Sequence, residues 1–77
     1  MIIAEIKRLA ETHTIELLTE AIRAYYETKT FGVDVEGKDD GEKYTHLYGS
    51  AWVLNHMKEH GSDIRTALRA YGALLRF

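Results

Sequence analysis

The stretch DDGEKYTHLYGSAWVLNHMKEH, Asp39 to His60, decides how the rest of the chain is arranged. Tyr44, Leu47, Tyr48, Ala51, Leu54 and Asn55 recur at three- and four-residue intervals, which bring side chains onto one face of a helix. Val53 and Met57 fall roughly opposite at ~100° per residue, with Trp52 on a flank. A helix apolar over so wide an arc is covered from more than one side. The spacing therefore predicts a central helix with the other segments wrapped around it.

The ends of this stretch carry stop and start signals. Asp39 with Glu42 three residues on is a capping-box-like start, with carboxylates near the positive end of the helix. Gly61, after His60, suits a left-handed C-cap. Ser62 then serves as N-cap for a last helix, Ile64 to about Arg76, with Asp63 in its first turn. That helix presents Ile64, Ala67, Leu68, Tyr71, Leu74 and Leu75 on one face and Arg65, Arg69 and Arg76 on another.

Upstream, Ile2, Ile3, Ile6, Leu9 and Ala10 form the stripe of a short first helix, with Glu5, Lys7, Arg8 and Glu11 as its polar side. Thr12-His13-Thr14 reads as a break with Thr14 as N-cap, or as part of one helix continuing through His13. A second helix places Ile15, Leu18, Ile22 and Tyr25 inward and ends near Thr28. Residues 31–36 alternate apolar Phe31, Val33 and Val35 with Gly32, Asp34 and Glu36, the period of extended chain. This connector is expected to lay Val33 and Val35 on the helices. The expectation is a single all-α domain over residues 1–77, a compact bundle of about four helices with a short extended connector at 31–36.

Composition removes several chemistries. The chain has 77 residues and no cysteine, so disulfides, thiolate metal sites and thiol catalysis are excluded. The N-terminus is charged from Glu5 onward and is not read as a signal peptide. No apolar run approaches the ~18 residues of a membrane span. A net charge of −2 gives no global pull toward nucleic acid or anionic membrane. The chain has no phosphate-loop or dinucleotide pattern, and Ser50 and Ser62 lack nucleophile-elbow flanks. No cofactor is called for, and the chain is not read as an enzyme.

Four constellations remain. Glu42 and His46, at i,i+4 beside Asp39 and an acidic turn, could hold a divalent metal; the plainer reading is helix capping and a solvated turn. An EF-hand starting at Asp34 fails, because its Gly position holds Asp39 and its Glu position holds Thr45. His56-Met-Lys-Glu-His60 matches an H-x-x-E-H pattern. It ends at Gly61, however, and His46 is ~15 Å away along the same helix. Two solvated histidines are the plainer reading. Arg65, Arg69 and Arg76 resemble a recognition-helix stripe, but three arginines on an acidic chain make a poor phosphate footprint. Tyr44, Tyr48, Trp52 and Tyr71 could line a ligand pocket, or form a core or an interface.

The segment Val35-Glu-Gly-Lys-Asp-Asp-Gly-Glu-Lys-Tyr-Thr-His46, with Ala51-Trp-Val-Leu54 and Ala67-Leu-Arg-Ala-Tyr71, resembles a family of small uncharacterised bacterial proteins bearing a domain-of-unknown-function label. The resemblance covers nearly the whole chain. It implies a small, soluble, cytoplasmic helical protein, loosely associated with thioredoxin and peroxiredoxin neighbourhoods and hence with a redox-linked accessory role. It carries over no catalytic residue.

The expected function is a non-enzymatic interaction or accessory module. The alternatives are a small ligand- or metal-binding protein using Asp39, Glu42 and His46, and a DNA-binding regulator using the arginine face. So small a bundle has too few layers to cover its central helix. Trp52, Tyr48 and part of Phe31 or Tyr26 are left competing for shelter, and a large aromatic patch marks an interface. A homodimer with Trp52 and Tyr48 at the interface is therefore expected, with an unidentified protein partner as a further possibility.

Overall fold

A computed structural model describes residues 1–75 and shows four helices: α1 (Ile3–Thr12), α2 (Ile15–Thr28), α3 (Asp40–His60) and α4 (Ile64–Leu74). Arg76, the last member of the arginine stripe, lies outside the described residues. The all-α expectation holds, and the described residues contain no strand. No described helix is long and apolar enough to cross a membrane.

Local chemistry sets the boundaries. The helix does not run through His13. Thr14 is extended and its hydroxyl accepts the Leu17 amide, so α1 and α2 are separate. Asp39 caps α3 by accepting the Glu42 amide at 2.8 Å. The reciprocal half of the capping box is displaced by one residue, because the Glu42 carboxylate takes the Lys38 amide. Gly61 ends α3 with φ +62°, where a Cβ would be strained. The expected Ser62 cap is corrected: Asp63 caps α4, accepting the Thr66 amide at 2.8 Å. A carboxylate satisfies an orphan amide and the positive helix end together, and Ser62 faces His56 instead.

Helix α3 packs against all three others. Two apolar clusters share it. Ile6, Ala10, Val53, Ala67 and Tyr71 join α1, α3 and α4. Leu9, Leu18, Ala21, Val35 and Leu47 join α1, α2, the connector and α3. The connector alternates as expected: Val35 is buried, Phe31 and Val33 are half-buried, and Gly32, Asp34 and Glu36 are exposed.

The buried face of α3 departs from the apolar periodicity. Its buried residues are His46, Leu47, Gly49, Ser50 and Val53, while Tyr48 is exposed. Gly49 explains the difference. A Cβ there would lie 2.9 Å from both Ile6 Cδ1 and Tyr71 Cε2. The absent side chain lets α1 and α4 approach α3 closely. Ser50 is tolerated beside it because its hydroxyl bonds back to the Leu47 carbonyl. Glu5, expected on the polar side of α1, is buried as well, while Ile2 and Ile3 are exposed.

Candidate functional site

The first candidate cluster stands where α3 begins. His46 is fully buried. Its Nε2 accepts the Ile2 amide at 2.9 Å, and its Nδ1 donates to the Glu36 carbonyl at 2.6 Å. These partners require the Nδ1–H tautomer and occupy both ring nitrogens. Glu42 takes the Lys38 amide and the Met1 ammonium at 2.9 and 3.0 Å, and these partners hold its carboxyl below the usual range. Asp39 is spent on the helix cap. Asp39, Glu42 and His46 therefore do not converge as a ligand set. No group of three or more potential ligands is gathered among the described residues. Glu42 and His46 instead tie the connector and the start of α1 to α3.

Glu5 completes this clasp. Its carboxylate accepts from Arg8 at 2.8 and 2.6 Å and from the Glu36 amide at 2.9 Å. Arg8 also donates to the Asp34 carbonyl. The Arg8 hydrogen bond holds the Glu5 carboxyl below its ordinary range despite burial. Sequence offered one signal, the i,i+3 spacing of Glu5 and Arg8, and none of the burial. Among the described residues no buried side-chain nitrogen or oxygen lacks a partner, so the clasp leaves no polar group free for chemistry.

The second candidate lies on the opposite side of α3, toward α2. Ile15, Thr19 and Ile22 of α2 and Ala51 and Asn55 of α3 floor a groove of about 440 Å³, walled by Tyr26, Tyr44, Tyr48 and Trp52. Tyr44 donates to the Tyr26 hydroxyl at 3.1 Å, and their rings meet edge to face at 5.6 Å. That hydrogen bond, with burial second, pushes the Tyr44 phenol up to about 12. Tyr26 and Tyr48 are 65% and 49% exposed, on either side of Tyr44, whose ring contacts both. Trp52 is half-buried, with its ring 5.3 Å from that of Tyr71. Of the four aromatics singled out in the sequence, three line the groove; Tyr71 is buried core behind them.

The groove lining carries no Asp, Glu, His, Lys or Arg. The Tyr44 phenol, pushed up, stays protonated near neutral pH. The groove offers apolar area and hydroxyl groups for binding.

The other two motifs lie elsewhere. Arg65 and Arg69 are exposed on α4, next to Asp63, whose carboxyl is lowered chiefly by the Thr66 amide and hydroxyl and also by both arginines. Lys7 and Glu11 of α1 face Arg65 across a shallow depression, so this surface is mixed in sign. His56 and His60 sit together at the far end of α3.

Comparison with curated proteins and with solved structures returns no match to this chain. A family model does match, over residues 1–76, which takes in all four helices, the clasp and the groove. The chain therefore belongs to a family of unknown function, DUF6952.

Proposed function

We propose that this protein is a non-enzymatic interaction module whose contact surface is the aromatic face between α2 and α3, and that this face closes on a second copy of the chain. The observation that carries the reading is the uncharged groove walled by Tyr26, Tyr44, Tyr48 and Trp52, two of them largely in water. Neighbouring exposed aromatics of this kind characterise interface cores, which are depleted of charge and enriched in Tyr and Trp. A face without charged lining meets no like-charge repulsion when it docks on itself, and a twofold dimer covers both copies at once. The chain has no cysteine, so any link to thiol redox chemistry runs through contacts with another protein. The mixed-charge surface of α4 supports no comparable nucleic-acid reading.

Sedimentation equilibrium at micromolar concentration is expected to give twice the 8.8 kDa chain mass. Tyr48→Arg is expected to give a folded monomer whose melting temperature falls only by the lost contribution of association and no longer depends on protein concentration. Trp52→Arg discriminates less well, because Trp52 packs on the α1–α3–α4 cluster as well as lining the groove. A wild-type chain that stays monomeric at millimolar concentration overturns the dimer. The reading then moves to a small uncharged ligand, since the groove exceeds the ~300 Å³ lower bound for such sites.

A further inference from the structure

The His56-Met-Lys-Glu-His60 stretch is left unused by the clasp and by the groove. Its two imidazoles lie with ring centres 4.4 Å apart. The His56 ring stacks on Trp52 at 5.1 Å, and its Nδ1 is 3.3 Å from Ser62 Oγ. With Nδ1–H directed at Ser62, Nε2 keeps its lone pair. A metal-bound histidine is oriented in this way, its second ring nitrogen donating to a neighbouring oxygen.

The spacing fits chelation. A metal held by two imidazole nitrogens at ~2 Å lies ~3 Å from each ring centre, so two ligands at a right angle put the centres ~4.5 Å apart. The pair also stands at the negative end of α3, which favours a cation. Glu59 lies between the two histidines in sequence, its carboxylate accepting from Asn55 at 3.2 Å.

We propose that His56 and His60 form a two-point site for a divalent transition cation, with water in the remaining positions. Imidazole ligands suit copper, nickel and zinc, with Cu²⁺ bound most tightly of the three. The site needs neither the Asp39–Glu42–His46 cluster nor the dimer, and its failure would leave the interaction reading standing.

Trp52 is the chain's single tryptophan and stacks on one of the ligands, so it reports binding directly. Copper sulfate added to the full chain in a non-chelating buffer is expected to quench Trp52 fluorescence, saturating at one equivalent. A chelator such as EDTA should strip the copper and restore the signal, and Zn²⁺, which binds less tightly and does not quench, should restore it only in large excess. His60→Ala, at an exposed position, is expected to weaken copper binding tenfold or more without moving the melting temperature. His13→Ala, at the C-cap of α1 and not in the proposed pair, is expected to leave the curve in place. The proposal is overturned if quenching never saturates, if the His60→Ala curve superimposes on wild type, or if His13→Ala weakens binding as much.

Discussion

The two sides of α3 treat their functional groups in opposite ways. At the clasp, Glu5, Glu42 and His46 bring ionisable side chains in from solvent and close each of them on a backbone group. At the groove, Tyr26, Tyr48 and Trp52 bring no charge and leave apolar area open. Buried polar groups are expensive unless bonded, so a cluster with every partner supplied is a structural device. Exposed aromatic rings have no such internal resolution, and another molecule is what would cover them. At the start of α3 the titratable residues at suggestive spacing are thus scaffold, while the uncharged rings stay exposed.

That contrast predicts large stability effects at the clasp and small ones at the groove. His46→Ala should be the most damaging change. It leaves the Ile2 amide and the Glu36 carbonyl without partners and opens a cavity, for a loss of about 3 kcal/mol or more by chemical denaturation. A loss below about 1 kcal/mol would show that water replaces the imidazole and that the clasp is loose.

Glu5→Gln comes next, at about 2 kcal/mol, from the weakened bonds to Arg8 and the Glu36 amide. It also carries a pH signature. The Glu5 carboxyl is lowered in the folded chain from its ordinary 4.5, so folding favours the ionised form. Its contribution is complete above the ordinary carboxylate range and is lost as pH falls through the lowered folded value. Wild-type stability should therefore fall as pH drops through and below the ordinary carboxylate range, and the Gln variant should fall less steeply. Glu20, Glu42 and Asp63, shifted in the same direction, keep some slope in the variant. Parallel pH curves would assign the acid sensitivity to those three.

Gly61→Val, outside both regions, measures the backbone alone. Its left-handed φ should cost about 1–2 kcal/mol, with no side chain in the way. Smallest of all, Tyr48→Arg should change monomer stability by less than about 0.5 kcal/mol while abolishing self-association. If it destabilised the chain as much as His46→Ala does, the groove would be part of the core and the contrast would fail.

The helices were readable because each rests on nearest-neighbour physics. Thr14, Asp39 and Gly61 act within four residues of themselves, and the alternation of Phe31, Val33 and Val35 survives as alternating burial. Ser62 misled because two good capping residues stand side by side, and only the path of the turn selects Asp63. The site was harder to read. Tyr44, Tyr48 and Trp52 were visible as a set, but their α2 partners Ile15, Thr19 and Tyr26 come from a helix whose rotation about its axis no local pattern specifies.

Sequence alone determined an all-α chain, the order of its helices, the central place of Asp39–His60, and the absence of any thiol chemistry. These follow from residue types and from spacings of a few residues. Tertiary structure decided which side of α3 is inside. Gly49, by lacking a side chain, admits Ile6 of α1 and Tyr71 of α4 to within contact of its backbone. That approach buries His46 and Ser50 and turns Tyr48 out. Close approach is a property of three helices at once, and hydropathy scores a glycine, a serine and a histidine as polar surface until the helices that enclose them are in place.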